Sequence, residues 1–138
     1  MADLTLTISG LAELSRELRI SPKRRRDYHV VGVTFEGRQK VLAEFFKTYK
    51  AGKQYDVVLM PENDNAYDPN AISVALEVNG KYQCVGYIPK ELNQELRNKM
   101  NFIASSRLKS IGYGTNGKIG ITIRVDFDDQ SNSISDNQ

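Results

Sequence analysis

Residues 61–74 read Pro-Glu-Asn-Asp-Asn-Ala-Tyr-Asp-Pro-Asn-Ala-Ile-Ser-Val, and the predicted fold is built around this polar stretch. The apolar residues 55–60 before it and the alternating residues 71–78 after it predict two strands. A tight hairpin needs only about two to five linking residues, so this connection is longer and more polar than turning requires. Its Asn and Asp side chains can bond nearby backbone amides and fix the loop's shape. Tyr67 is then a large ring in a structured loop, either available to a ligand or covering the core.

The composition indicates one globular domain, because 138 residues suffice for a single core. No apolar run of about 18 residues predicts a membrane span, and the N-terminus lacks the order of a secretory signal, so we expect a cytoplasmic protein. The lone Cys84 offers no internal disulfide or zinc-ligand set, and we expect no metal or cofactor. The net charge of +2 is only mildly basic, so contact with nucleic acid should be local.

The two ends of the chain are expected to lie outside the main domain. Residues 1–27 predict an appendage, in which Leu11, Leu14 and Leu18 follow helical spacing and the basic residues 23–26 form an arm. That arm is either a solvated hinge or a contact to phosphate. Residues 128–138 are polar and acidic, and we expect them to be disordered.

The main domain is predicted to span residues 28–127 and to alternate strands with two helices. The predicted elements are a strand over 28–35, a helix over 38–50, strands over 55–60, 71–78 and 81–88, a helix from Pro89, and a closing hairpin over 103–113 and 118–127. The order β-α-β-β-β-α-β-β predicts a mainly β, α+β domain with two inserted helices. We expect a small, partly closed barrel of the OB or SH3 type.

Three blocks of sequence resemble the HIRAN domain family: Val-Gly-Val at 31–33, Pro-Glu-Asn-Asp-Asn-Ala-Tyr-Asp-Pro-Asn-Ala-Ile at 61–72, and Val-Gly-Tyr-Ile-Pro-Lys-Glu-Leu at 85–92. The resemblance covers residues 28 to about 102 and extends to the final hairpin. It implies an OB-like barrel of the kind found in fork-remodelling helicases and in stand-alone bacterial and viral proteins. It further implies binding of single-stranded DNA at its 3′ end, with bases held between aromatic rings and an Asp accepting a hydrogen bond from the 3′-hydroxyl.

The resemblance also implies roles for individual residues in a nucleic-acid site. By position these are Tyr67 and Phe35 for stacking, Asp68 for the hydroxyl, Asn65 in the same loop, Lys90 near the phosphates, and Tyr87 where the DNA-binding relative has His. Thr34 stands near an arginine of that relative, so the phosphate contacts differ here.

The chemistry of Asp68 suits an end of a strand, and it also leaves a structural reading open. A carboxylate repels phosphate, so beside a nucleic-acid pocket it fits a hydroxyl donor and rejects a terminal phosphate. Alternatively, Asp68 caps the loop by bonding the amides of Asn70 and Ala71, and Asn65 holds the loop's shape. Both roles can coexist.

We therefore expect a non-enzymatic DNA-binding module that recognises single-stranded DNA or its 3′ ends in DNA repair, with a helicase or nuclease as a candidate partner. A different class is a protein-interaction scaffold, in which the N-terminal helix and acidic tail recruit a partner. A third is a metal-dependent phosphodiesterase using Glu62, Asp64 and Asp68, although no general base accompanies them.

Overall fold

The computed structural model describes residues 24–128 as six strands and two α-helices. These are β1 (Arg24–His29), α1 (Arg38–Thr48), β2 (Val57–Pro61), β3 (Ile72–Val78), β4 (Lys81–Tyr87), α2 (Lys90–Lys99), a 3₁₀ turn (Met100–Phe102), β5 (Ile103–Tyr113) and β6 (Ile119–Phe127). The predicted two-residue hairpin is confirmed, because Asn79 and Gly80 join β3 to β4 with φ of 54° and 86°. Neither described α-helix is long and apolar enough to cross a membrane.

The strands form two antiparallel sheets of three strands each, in the orders β1-β6-β5 and β2-β3-β4. Two isolated bridges connect the sheets, one between Val31 and Tyr87 and one between Asp56 and Arg107. The expected mainly β fold with two helices is therefore confirmed. Within residues 24–128 the strands form two sheets and no closed barrel, so the expected partly closed barrel of the OB or SH3 type is not confirmed.

Alternating residues of the central strands build the core between the sheets. On β3 and β6 the apolar residues of one face are buried, namely Ile72, Val74, Leu76 and Val78, and Ile119, Ile121, Ile123 and Val125. Leu42 of α1 and Leu96 of α2 complete this core, and both are fully shielded from solvent. Burying each such side chain contributes about 1.5–3 kcal/mol, which helps to fix the helices against the sheets.

Gly86 allows β4 to pass close to the chain that leaves β1. A Cβ at this position would lie 2.5 Å from Cγ1 of Val30 and 2.6 Å from the carbonyl oxygen of Val31. A side chain would push the two segments apart, and only glycine permits this approach. The result is that Val31 and Tyr87 exchange backbone hydrogen bonds of 2.8 Å.

The first predicted strand has different bounds in the structure. β1 ends at His29, and the chain turns at Gly32, which has φ of 73°. The Arg38 Nη1 atom donates a 2.8 Å hydrogen bond to the carbonyl oxygen of Gly32 and holds this turn. Phe35 therefore lies in a turn rather than at the end of a strand over 28–35.

The prediction that residues 23–26 form an arm outside the main domain is wrong for Arg24, Arg25 and Arg26, which begin β1 and pair with β6. Arg25 Nε lies 2.7 Å from Asp126 Oδ1, and Arg26 Nη1 donates to Glu95 Oε1 at 2.9 Å. The carboxylates of Asp126 and Glu95 thus offset the repulsion between these neighbouring arginines. The predicted N-terminal helix and nearly all of the acidic tail lie outside the described residues; Asp128 is described, and its N–H donates to the Phe102 carbonyl oxygen.

Candidate functional site

A cavity of about 820 Å³ opens where the turn after β1, the loop between β2 and β3, the end of β4 and the start of α2 meet. All six residues predicted for a nucleic-acid site line it: Phe35, Asn65, Tyr67, Asp68, Tyr87 and Lys90. Arg38 and Asn93, which are both buried, line the same cavity. The fold therefore brings together residues that are as far apart in the sequence as Phe35 and Lys90.

The side chain of Asn65 shapes the loop between β2 and β3. Its Oδ1 atom accepts hydrogen bonds from the backbone N–H groups of Tyr67 at 2.8 Å and Asp68 at 3.0 Å. Its Nδ2 atom donates to Glu62 Oε1 at 3.0 Å. These contacts are those expected if Asn65 holds the loop's shape. One asparagine satisfies two backbone amides that would otherwise need water.

Asp68 is held at both carboxylate oxygens. Oδ1 accepts the backbone N–H of Asn70 at 2.9 Å, and Oδ2 accepts Nδ2 of Asn93 at 2.8 Å. The expected capping of Asn70 is present, whereas the N–H of Ala71 bonds the backbone carbonyl of Asp68 instead. Each carboxylate oxygen has two lone-pair directions, so both oxygens can accept a further hydrogen bond from a ligand in the cavity.

Two of the three aromatic rings that line the cavity, those of Tyr67 and Phe35, face solvent rather than the core. Tyr67 is 95% exposed and Phe35 is 65% exposed. The alternative that Tyr67 covers the core is therefore wrong. Leaving such rings unburied forgoes roughly 1.5–3 kcal/mol each, and exposed apolar groups around one cavity are typical of a binding site.

Tyr87 is fixed beneath the cavity by a polar network. Its hydroxyl donates to Glu62 Oε1 at 2.8 Å, and the Arg38 guanidinium lies 5.1 Å from its ring centroid. Burial and the bond to Glu62 raise the pKa of Tyr87 to about 12, so the phenol keeps its proton. Burial works against ionisation of Glu62, but hydrogen bonds from Asn65 and Tyr87 outweigh it and lower the pKa of this carboxyl.

Arg97 is a residue that sequence reasoning did not single out. Its Nη2 atom donates to the carbonyl oxygens of Pro69 at 3.0 Å and Ala71 at 2.9 Å, and its Nε donates to that of Asn70 at 3.2 Å. Arg97 lies one helical turn after Asn93 on α2, so both face the same loop. Asn93 and Arg97 are polar residues at helical spacing in the predicted helix directly after the Val-Gly-Tyr-Ile-Pro block. This spacing could have indicated that both contact the loop.

The described part of the chain offers no metal centre to the phosphodiesterase alternative. No group of three or more His, Cys, Asp or Glu side chains within residues 24–128 could hold a metal ion. Glu62 and Asp68, two of the three proposed ligands, instead bind Asn65, Tyr87, Asn70 and Asn93.

Comparison with known proteins places this fold in a family. A search of curated proteins finds no match. The chain is similar to the crystal structure of the HIRAN domain of human HLTF, with 24% sequence identity, a TM-score of 0.50, and coverage of 80% of this chain and 81% of that chain. At this identity the likeness shows the fold alone. The HIRAN domain family model matches residues 24–128, and the chain therefore belongs to the HIRAN domain family.

Proposed function

We propose that this chain binds single-stranded DNA and receives the strand's 3′-hydroxyl end in the cavity. Membership of the HIRAN domain family supports a nucleic-acid partner. The observation that carries the finer proposal is the nearly complete exposure of the Tyr67 ring next to the half-buried Asp68 carboxylate. A stacking surface beside a hydroxyl acceptor fits the last nucleotide of a strand.

Affinity arises from stacking in this proposal. Phe35 and Tyr67 offer exposed rings to the terminal bases, and every base has a π-face. Stacking contributes about 1–3 kcal/mol per base with little regard to sequence. The module therefore binds ends of any sequence, with modest preferences at most.

End recognition arises from Asp68 in this proposal, and Lys90 contributes attraction for the phosphodiester backbone. Asn70 and Asn93 hold the Asp68 carboxylate without bringing a positive charge to it, so it stays a strong acceptor for a hydroxyl. A 3′-phosphate placed there would meet a like charge. Lys90 is exposed at the start of α2 and lines the cavity, where it can attract the phosphodiester backbone.

The module binds and does not catalyse in this proposal. It serves a reaction on DNA ends, such as repair in the cytoplasm, by presenting the end to a separate helicase or nuclease. That assignment rests on the family and on the site's hydroxyl acceptor.

The test is a fluorescence-anisotropy titration with short single strands of one sequence that end in a 3′-hydroxyl, a 3′-hydrogen or a 3′-phosphate. We expect the hydroxyl end to bind about tenfold more tightly than the hydrogen end, because a hydrogen bond to a charged group contributes about 1.5–3 kcal/mol. The phosphate end should bind most weakly. Changing the 5′ group serves as the control and should leave the affinity unchanged. Equal affinity for the three 3′ ends would contradict the role of Asp68.

A further inference from the structure

Arg38 is a buried cation at the edge of the cavity. It begins α1, its side chain is only 11% exposed, and it lines the cavity. Nη1 donates to the carbonyl oxygen of Gly32 at 2.8 Å, and the guanidinium lies over the Tyr87 ring. These contacts fix the guanidinium but leave its positive charge to be balanced by an anion, as a buried charge requires.

The direct carboxylate partner of Arg38 within residues 24–128 is Glu36, and this pair is loose. Glu36 Oε1 lies 3.3 Å from Arg38 Nη2, and the Glu36 side chain is 81% exposed. An ion pair with one partner this exposed is weak, because water and salt compete for the carboxylate. Glu62 also interacts electrostatically with Arg38, but its Oε1 atom is engaged by Asn65 and Tyr87.

We propose that Glu36 is a displaceable stand-in for a phosphate: it pairs with Arg38 in the free protein and yields Arg38 Nη2 to a phosphodiester of the bound strand. This inference rests on the proposed function. Arg38 Nη1 stays on the Gly32 carbonyl oxygen, and Nη2 donates a charge-assisted hydrogen bond to a phosphate oxygen in place of its 3.3 Å contact with Glu36. Glu36 can rotate into solvent without losing buried surface.

Two consequences follow from this competition. Glu36 opposes binding, so its removal strengthens the complex. The gain depends on Arg38, because Glu36 acts by occupying that guanidinium rather than through the overall charge of the protein. A general effect of charge would not depend on Arg38.

The test is a double-mutant cycle read by anisotropy with one 3′-hydroxyl oligonucleotide and by circular dichroism for folding. The proteins are the wild type, Glu36→Gln, Arg38→Gln and the double variant, with Glu77→Gln as the matched control. Glu77 is exposed on β3, is not among the cavity-lining residues, and its change alters the net charge equally. We expect Glu36→Gln to bind about two- to fivefold more tightly, the range for one exposed ion pair, and more so than Glu77→Gln. In the Arg38→Gln background that gain should vanish.

Several outcomes overturn the inference. It fails when Glu36→Gln gains no more than Glu77→Gln, or when the gain persists beside Arg38→Gln. If Arg38→Gln does not fold, Arg38→Lys takes its place. A lysine cannot hold the Gly32 carbonyl and a phosphate in the geometry of the guanidinium, so a full Glu36→Gln gain in that background overturns the role of Arg38 Nη2. If the wild type binds no oligonucleotide, the proposed function falls together with the inference. If it binds and Tyr67→Ala weakens it while Glu36→Gln matches its control, only the inference falls.

Discussion

Asn93 Nδ2 donates a 2.8 Å hydrogen bond to Asp68 Oδ2 and so ties α2 to the loop between β2 and β3. Asn93 is 3% exposed, so water hardly competes for this bond. An amide orients the carboxylate without neutralising it. A Lys or Arg in its place would offset the negative charge and weaken the hydrogen bond that the carboxylate accepts from a hydroxyl. The contact therefore fits an acceptor that is fixed in place before a ligand arrives.

The first prediction concerns Asn93→Asp. This change keeps the shape of the side chain but sets a second carboxylate against Asp68, and two such groups repel unless one takes up a proton. We expect the free energy of unfolding at pH 7 to fall by about 1–3 kcal/mol, since a buried hydrogen bond is lost. We also expect the preference for a 3′-hydroxyl over a 3′-hydrogen end to disappear in anisotropy titrations.

Asn98→Asp is the matched control for that experiment. Asn98 is exposed on the same helix and adds the same charge when changed, so general repulsion of DNA is equal in the two variants. We expect Asn98→Asp to keep the end preference and nearly all stability. An unchanged end preference in Asn93→Asp would show that Asn93 does not position Asp68.

The second prediction concerns Tyr67→Ala. The ring is 95% exposed, so its loss should change the free energy of unfolding by less than about 0.5 kcal/mol. Loss of one stacking platform should nevertheless weaken binding of a 3′-hydroxyl oligonucleotide roughly tenfold. Tyr82→Ala removes another exposed tyrosine, 48% accessible and not among the cavity-lining residues, and should leave affinity unchanged. Equal effects of the two substitutions would rule out a specific role for Tyr67.

The local features of this fold were predictable because nearby residues determine them. The Asn79-Gly80 turn depends on two residues that tolerate positive φ, and the buried alternation of β6 is visible in its own sequence. The chain after His29 was not predictable in the same way. Its turn depends on Arg38 reaching back to the Gly32 carbonyl and on the close passage at Gly86. Strand propensity alone continues the strand through residue 35.

A similar division holds for the site. Tyr67 and Asp68 stand in a recognisable block, and the resemblance pointed to them directly. Asn93 and Arg97 form hydrogen bonds with loop residues that lie 25 or more positions earlier in the sequence. No local pattern therefore revealed their partners. The basic run at the start of β1 was misjudged for the same reason. Its carboxylate partner Asp126 comes from the far end of the described chain.

The third prediction concerns Arg97→Gln. Arg97 joins three consecutive carbonyl groups of the loop, at residues 69–71, to α2. The shorter neutral side chain cannot reach all three, and we expect faster amide hydrogen exchange in residues 62–71 together with weaker oligonucleotide binding. Lys47→Gln on α1 is the control, because Lys47 is 70% exposed in a surface ion pair and loses the same charge. Unaltered exchange in the loop would mean that the core holds it without Arg97.

The last prediction concerns acid stability and the carboxyl of Asp126. Burial works against its ionisation, but hydrogen bonds from Arg25 and Arg107, at 2.7 and 2.6 Å, lower the pKa to about 2. An Asp carboxyl in an unfolded chain has a pKa of about 3.9, so the native state stabilises the charged form of Asp126. The contribution is therefore complete above about pH 4 and is lost as the pH falls through about 2.

Asp126→Asn tests this sign directly by urea unfolding at several pH values. The pKa shift corresponds to roughly 2 kcal/mol, and the half-exposed Arg25 partner reduces the expected effect to about 1–2 kcal/mol at pH 7. The difference between wild type and variant should shrink steadily from pH 4 to pH 2. Asp27, whose pKa is lowered first of all by its hydrogen bond from Arg124, is intact in both proteins and cancels in the comparison. A difference that stays constant down to pH 2 would show that Asp126 contributes through packing rather than through its charge.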